Sequence, residues 1–271
     1  MTIKHCDLHS NTTDVRALSG GVWCDFPFDK MAADPSYAYF KKEDFIGYAV
    51  DDALSGGGVI FGDAGPWLTV TTGSGTEMTV NATAATGELV ITDHTDDNDE
   101  NYLGFGDGTA GCIEYTNGVT GKPFWLEASL QHSALTNSFA FGLFLPAKIA
   151  AATLTDDTGV VSNTDYICAG ANLTDGKTSL YGRVKKVSVT AVDVDTDMGT
   201  IVAATQYRIG MTYKDGVLRF YVNGIEQGKR TMLSTDLTDG ANLTPMFCSI
   251  NDAEGGAVTH NLDWVAWGQE R

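Results

Sequence analysis

Acidic residues at alternate positions are the chain's clearest candidates for metal binding. Asp193, Asp195 and Asp197 are each separated by one residue, and a second acidic cluster lies between Asp93 and Glu100. Calcium takes about six to eight oxygen ligands in a flexible geometry, which such clusters can supply. Neither cluster has the Gly and the Glu that an EF-hand loop needs at its sixth and twelfth positions. Two interpretations stay open: a solvated acidic turn, which this composition favours, and a calcium site with Asp193, Asp195 and Asp197 as first candidates.

Paired carboxylates for glycoside hydrolysis are missing from the sequence pattern. Hydrolysis of a sugar bond uses two carboxyl groups, and a spacing of two along a strand would place both on one face. None of the nine Glu residues is followed two positions later by Asp, and Glu127 stands alone between Trp125 and Ser129. His132 and His260 have no nucleophile or base close in sequence, so we expect ordinary strand or loop residues there. The sequence therefore predicts a protein without enzymatic activity, and without a cofactor unless calcium binds.

The acidic composition limits the classes of partner. The 35 Asp and Glu residues outnumber the 17 Lys and Arg residues, which gives a formal net charge of −18. A surface of this sign repels phosphate backbones, so direct nucleic-acid binding is not expected. No apolar run approaches the roughly 20 residues that a membrane-spanning helix needs, and residues 1–18 contain no apolar core of a signal peptide. We expect a protein without membrane contact, folded in the cytoplasm of the cell that makes it.

Hairpin signals set the expected fold. Asp215-Gly216 and Asn223-Gly224 lie eight residues apart, and both pairs suit tight hairpin turns because their residues tolerate positive φ. Before and between these turns, apolar and polar residues alternate as in strands with one buried face. Helical periodicity is nearly absent, and 31 glycines separate short strand candidates. The sequence predicts an all-β fold, namely a two-sheet antiparallel jelly-roll sandwich over residues 39–271.

The first 38 residues differ in texture from the rest. Few residues alternate there, and Pro35 discourages regular structure. Trp23, Phe26 and Phe28 form an aromatic cluster that favours burial. We predict an extended N-terminal arm over residues 1–38 that packs on the sandwich or on a neighbouring subunit, with these three aromatics as its partner-binding anchors.

Tryptophans are the remaining candidates for sugar contacts. An exposed indole ring can stack on a sugar, but packing in a core or an interface is the commoner use of Trp. Trp264 and Trp267 lie three residues apart in a strand candidate and should face opposite sides of a sheet. At most one of the two is therefore expected in the core.

Three segments resemble one known group of folds. Residues 207–224, with two closely spaced turns, resemble the C-terminal half of concanavalin A-like sandwiches, the group that includes laminin G domains and many lectins. Residues 124–130 resemble an earlier strand of such domains, and residues 262–267 resemble their closing strand. The resemblance implies a jelly roll, while the same fold is used by enzymes, lectins and structural modules.

A second resemblance concerns virus particles. Residues 39–45, then residues 87–92 leading into the acidic run at 96–100, and residues 124–130 are similar to virion structural proteins of tailed bacteriophages that carry this sandwich. That resemblance implies a non-enzymatic capsid-associated or decoration protein, located in the virion in multiple copies or as a homo-oligomer. It would act through contacts with capsid or other virion proteins. The alternative is a carbohydrate-binding, lectin-like module that is calcium dependent if the acidic cluster binds the ion.

Overall fold

Strands make up most of the described structure. The computed structural model describes residues 17–45, 58–62, 65–72, 77–80, 87–93, 98–149, 164–171, 178–186, 194–251 and 257–271. Within these ranges the helices are α1 (Gly20–Trp23), α2 (Phe28–Ala33) and a 3₁₀ helix at Pro146–Lys148. The strands are β1 (Ala38–Glu43), β2 (Gly58–Gly62), β3 (Gly65–Thr71), β4 (Glu77–Val80), β5 (Leu89–Asp93), β6 (Glu100–Phe105), β7 (Ile113–Glu114), β8 (Phe124–His132), β9 (Ser138–Phe144), β10 (Tyr166–Ala171), β11 (Ser179–Lys185), β12 (Val194–Thr200), β13 (Gln206–Lys214), β14 (Val217–Val222), β15 (Ile225–Thr231), β16 (Asn242–Ile250) and β17 (Val258–Glu270).

The strands form two antiparallel sheets that face each other across the core. Sheet A has the order β15-β14-β13-β8-β17-β5-β4, and β1 also pairs with β17. Sheet B has the order β12-β11-β10-β9-β16-β6-β3-β2, and β7 also pairs with β16. The long strand β17 pairs with β8 along one side, and with β5 and then β1 along the other. The prediction of a two-sheet antiparallel jelly-roll sandwich is confirmed.

Alternation along each strand divides the side chains between the core and the outer face. In β8, Phe124, Leu126 and Ala128 belong to the apolar core between the sheets. The residues between them lie on the opposite face, because successive side chains of a strand point to opposite sides. In β13, Ile209 and Met211 enter the same core. The polar partners in β8 and β13 are therefore placed side by side on the outer face of sheet A.

Both predicted hairpin turns are present. Asp215 and Asn223 have φ values of 54° and 52°, and the glycines that follow them also have positive φ. Such turns twist with the flanking strands, so β13, β14 and β15 form a continuous meander at one edge of sheet A. This meander carries most of the polar side chains of the candidate site.

Residues 17–34, called here the N-terminal segment, lie against the outer face of sheet A. The segment contains both α-helices, and β1 begins at Ala38, one residue before the predicted start of the sandwich. Its buried residues form a second apolar cluster with side chains of the sheet, comprising Val22, Trp23, Phe26, Ala38, Trp125, Tyr221, Trp264 and Ala266. The segment therefore covers a sheet face that would otherwise be exposed.

The N-terminal segment also affects the burial of two tryptophans in β17. Trp267 lies in the core between the sheets, and Trp264 lies on the opposite face, as alternation predicts. Both side chains are nevertheless only 0–1% exposed, because the N-terminal segment buries the outer face as well. The expectation that at most one of them lies in the core between the sheets is confirmed, and burial of the other by the N-terminal segment is a feature that the sequence did not indicate. In the described part of the chain, no helix is long and apolar enough to cross a membrane.

Candidate functional site

A small pocket opens to solvent between the N-terminal segment and the meander. One wall is the backbone and side chains around α1, and the floor is the outer face of sheet A. We call this pocket the groove. The side chains that give it chemical character are Asp25, Trp125, Thr212, Lys214, Arg219 and Tyr221.

Strand register explains why these groups meet. Trp125 of β8 pairs with Thr212 of β13, which pairs with Arg219 of β14. Arg219 in turn pairs with Lys229 of β15. Residues that face each other across antiparallel strands share one face of the sheet. A row of indole, hydroxyl, guanidinium and ammonium groups therefore crosses four strands at the groove.

Polar contacts within the groove are long. The Thr212 Oγ1 and Tyr221 hydroxyl oxygens are 3.5 Å apart. Lys214 Nζ lies 3.5 Å from an Asp25 carboxylate oxygen, and Arg219 Nε lies 3.5 Å from Glu226. Burial raises the pKa of Tyr221, so its hydroxyl stays neutral and can both donate and accept. Groups held this loosely remain able to form hydrogen bonds with a ligand.

Glu127 lies beside the groove under the N-terminal segment. One of its carboxyl oxygens accepts hydrogen bonds from the Ser19 backbone N–H at 3.0 Å and from Trp23 Nε1 at 2.8 Å. Its other oxygen is buried without a hydrogen-bond partner. Complete burial raises the pKa of Glu127 to about 7, although the two hydrogen bonds and the nearby Arg208 partly oppose this rise. Glu127 is therefore a carboxyl group poised to exchange a proton near neutral pH, sealed by Trp23.

Two glycines allow the N-terminal segment to lie in direct contact with sheet A. A Cβ on Gly21 would lie 1.8 Å from the backbone oxygen of Gly224 in the turn between β14 and β15. A Cβ on Gly210, which pairs with Glu127 across the sheet, would lie 2.6 Å from a methyl carbon of Val22. The absence of side chains at both positions lets α1 rest directly on the strands.

The predicted aromatic anchors contact the chain's own sheet. The ring centroids of Phe26 and Trp125 are 4.9 Å apart, and those of Trp23 and Phe26 are 5.4 Å apart. Phe28 is partly buried, with its ring centroid 4.5 Å from that of Phe26. These contacts fasten the N-terminal segment to the sandwich. A role of Trp23, Phe26 and Phe28 in binding a partner stays a prediction, as does oligomer formation.

The predicted calcium ligands are not seen together. Asp193, and Asp96 and Asp97 of the second acidic run, lie outside the described residues. Asp195 belongs to β12, where its backbone pairs with Arg183. Asp197 is exposed, and its carboxylate accepts a hydrogen bond from the Gly199 backbone N–H at 2.8 Å. Within the described ranges, no group of three or more His, Cys, Asp or Glu side chains could hold a metal ion. Calcium binding stays a prediction.

A buried network that the sequence did not indicate joins the two sheets. His260 Nε2 of β17 lies 2.9 Å from one carboxylate oxygen of Asp93, and His260 Nδ1 lies 2.6 Å from His132 Nδ1. Ser249 and Asn101, both in sheet B, donate to the other oxygen of Asp93 at 2.6 and 2.5 Å. The expectation of ordinary strand or loop histidines missed this contact, because the three ionisable groups are far apart in sequence.

The network is a structural element and not an open site. His132, His260 and Asp93 are each at most 2% exposed. Burial raises the pKa of Asp93, but pairing with His260 and three hydrogen bonds outweigh it, so the pKa is lowered overall. Burial, followed by the neighbouring His260, lowers the pKa of His132 well below its ordinary value. The chain therefore holds a carboxylate inside the core in contact with His260, and His260 in turn contacts His132, whose pKa burial keeps low.

Comparisons with known proteins support the fold. A scan against models of protein families and a search of curated proteins found no match. The solved structure of an endo-β-1,4-glucuronan lyase from the fungus Trichoderma reesei is 11% identical, covers 86% of this chain and 95% of that chain, and has a TM-score of 0.50. A β-glucanase from Bacillus licheniformis is 14% identical, with 84% and 97% covered and a TM-score of 0.49. The carbohydrate recognition domain of Emp47p is 13% identical, with 74% and 87% covered and a TM-score of 0.48.

These comparisons confirm one expectation and overturn another. The chain resembles concanavalin A-like jelly-roll sandwiches, as the sequence indicated. The expectation of a protein without enzymatic activity was wrong, since the glucuronan lyase has this sandwich and the fold is therefore compatible with an enzyme. That expectation was based on the absence of one arrangement of two carboxylates. This arrangement concerns glycoside hydrolysis only. None of the three structures is a virion protein, so the finer expectation of a bacteriophage protein gains no support from them.

Proposed function

We propose that this chain is a carbohydrate-recognition module that binds sugar in the groove. The observation that carries the proposal is the solvent-open pocket at which Lys214 and Arg219, each about one third exposed, lie beside the hydroxyl groups of Thr212 and Tyr221. Hydroxyl and charged groups that converge on an open pocket are the kind of groups that fix and orient a polar ligand.

The similarity to a polysaccharide lyase supports the class of ligand. The glucuronan lyase has the same sandwich and, by its name, acts on a sugar polymer. The two proteins are 11% identical, so the fold alone is shared and the residues of the groove must carry the argument for this chain.

Cleavage of the bound sugar is a second candidate function, favoured by Glu127. A general acid or base works best when its pKa lies near the working pH, and burial raises the pKa of Glu127 to about 7. Glu127 adjoins Trp125 in β8, and its strand partner Gly210 adjoins the groove residues of β13. In this role Glu127 requires displacement of Trp23, which now covers its carboxylate.

A glycan array followed by calorimetry tests the proposal. We expect the intact chain to bind a defined set of glycans, and Thr212→Val combined with Tyr221→Phe to weaken that binding about tenfold or more, since two hydrogen-bonding groups are removed. Tyr181→Phe is the matched control, because Tyr181 lies in β11 of the other sheet and should leave binding unchanged. Absence of binding to every glycan, or equal loss in the control, would refute the proposal.

Two further assays separate the alternatives. Reducing-end release and ultraviolet absorbance of unsaturated products detect hydrolysis and elimination, and Glu127→Gln should abolish either activity if Glu127 is the acid or base. A chelator should weaken binding only if calcium binds, and replacing Asp193, Asp195 and Asp197 with Asn should then have the same effect. Location in a virion is a separate prediction, tested by sedimentation of the protein with virus particles.

A further inference from the structure

The meander that borders the groove differs in charge from the rest of the chain. Residues 206–231, which span β13 to β15, contain five Lys or Arg and two Asp or Glu, and so carry a net charge of +3. The whole chain carries −18. Of these five cations, Arg208 is buried and Arg230 is paired with Asp236. Lys214, Arg219 and Lys229 therefore carry the positive charge that borders the groove.

Two of these cations face each other directly. Arg219 of β14 and Lys229 of β15 are paired residues on the same face of the sheet. Like charges at such positions destabilise a sheet, so their placement has a cost in the free protein. Glu226 offsets part of that cost through one long contact with Arg219. Lys229 is exposed, and no described ion pair includes it.

A third cation, Lys214, lines the groove together with the hydroxyl groups of Thr212 and Tyr221. Lys214 follows Thr212 by two positions in β13 and therefore shares its face. Its contact with Asp25 is 3.5 Å long, and the Asp25 side chain is 62% exposed. A negatively charged ligand would replace this loose contact with a better one, because Asp25 can turn towards water.

We propose that the groove selects an anionic sugar, one that bears a carboxylate or a sulfate group. This inference rests on the proposed function and names its ligand class. Arg219 and Lys229 would bind the acidic group, since a guanidinium fork matches an oxyanion geometrically. Thr212 and Tyr221 would bind ring hydroxyls, which a simple anion lacks. The acidic residues elsewhere in the chain repel a long polyanion only weakly, because salt at physiological ionic strength screens charges that lie more than about 8 Å apart.

Calorimetry with matched sugars tests this inference at physiological ionic strength. The probes are a short oligogalacturonate, its methyl ester with the same rings and no charge, a sulfated oligosaccharide of similar length, and polyglutamate. We expect the charged sugars to bind at least about tenfold more tightly than the methyl ester, and polyglutamate to bind weakly. The tighter of the carboxylated and sulfated sugars identifies the acidic group that the groove prefers.

Charge-removing variants assign the preference to the groove. Arg219→Gln combined with Lys229→Gln should reduce binding of the charged sugar about tenfold more than it reduces binding of the methyl ester. Lys186→Gln, which removes one cation beyond the end of β11 in the other sheet, should keep the preference. Loss of the preference in this control as well would contradict the assignment.

The remaining outcomes separate the inference from the proposed function. Equal binding of the acid and its methyl ester would overturn the anionic preference and leave carbohydrate recognition intact. Failure of every sugar to bind would overturn both. Equal binding of polyglutamate would show a general charge patch and refute a sugar site.

A measurement without ligand tests the repulsion itself. Lys229→Gln should fold normally and melt about 1 °C higher than the unsubstituted chain, because removal of one of two paired like charges relieves their repulsion. A lower melting temperature would contradict the argument that these cations are placed together at a cost.

Discussion

Glu127 and His132 of β8 predict opposite effects of pH on stability. The two side chains lie five residues apart on opposite faces of sheet A, and both are fully buried. Burial raises the pKa of Glu127 from 4.5 to about 7 and lowers that of His132 well below 6.5. Each shift makes the folded chain bind a different number of protons from the unfolded chain, so each contributes a slope to stability against pH.

The signs follow from which state holds the proton. Between pH 4.5 and about 7, folded Glu127 keeps a proton that the unfolded chain releases. Stability from this group is therefore present at pH 4.5 and falls as pH rises, by about 1.4 kcal/mol per unit and about 3 kcal/mol in total. Below pH 6.5 the unfolded chain protonates His132 and the folded chain does not. Stability from His132 therefore falls as pH falls, with the same slope.

Single substitutions should reveal each slope. Relative to the unsubstituted chain, Glu127→Gln should become more stable by about 3 kcal/mol between pH 4.5 and 7 and change little above that, since the amide keeps an acceptor for Ser19 and Trp23 without titrating. His132→Asn, whose amide can still donate to His260, should gain in relative stability as pH falls below 6.5. In the unsubstituted chain the two slopes oppose each other below pH 6.5.

Chemical denaturation followed by tryptophan fluorescence, at half-unit steps of pH, measures these differences. Gln227→Ala is the control, because Gln227 is exposed and has no ionisable side chain, so its difference should not vary across this range. A flat difference for Glu127→Gln would refute the reasoning, since it would mean that hydrogen bonds and Arg208 fully compensate the burial of the carboxylate. A downward trend would reverse the sign and refute it more strongly.

Three other substitutions have defined expectations. Gly21→Ala should cost about 1–3 kcal/mol in denaturation experiments, because its Cβ would lie 1.8 Å from the Gly224 oxygen, and should also expose Trp23 to fluorescence quenchers. Trp264→Ala should cost about 3–5 kcal/mol although this residue lies outside the core between the sheets, and a cost below 1 kcal/mol would show that the N-terminal segment does not bury it. Asp236→Asn should cost about 1–3 kcal/mol by thermal or chemical unfolding, because it leaves Arg230 without the carboxylate that accepts two of its hydrogen bonds at 2.6 and 3.0 Å.

Local chemistry made part of the fold predictable. The turns at Asp215 and Asn223 have the positive φ that their residue types suggest, and the alternation around them correctly assigns Ile209 and Met211 to the core. These features depend on neighbours in sequence. A hairpin needs only its own residues to set turn and register, so the meander could be derived before its position in the sandwich was known.

The groove was harder to predict because it depends on the order of strands. Trp125 and Thr212 are neighbours only because β8 lies beside β13 in sheet A, and alternation gives no information about that order. The same limit applies to Asp93 and His260, which are 167 residues apart in sequence and 2.9 Å apart in space. Glu127 follows the alternation correctly to the outer face, but nothing local indicates that Trp23 would cover it.

The position of β17 constrains how the sandwich can be assembled. This strand separates β8 from β5 in sheet A and comes after every other strand in the sequence. During synthesis, β4 and β5 can pair with each other long before they can join β8 and the meander. The edges of β5 and β8 that pair with β17 therefore stay open until β17 is made. Contacts that span so much sequence slow folding and expose unpaired strand edges. We therefore expect insertion of β17 to be a late folding step that closes sheet A.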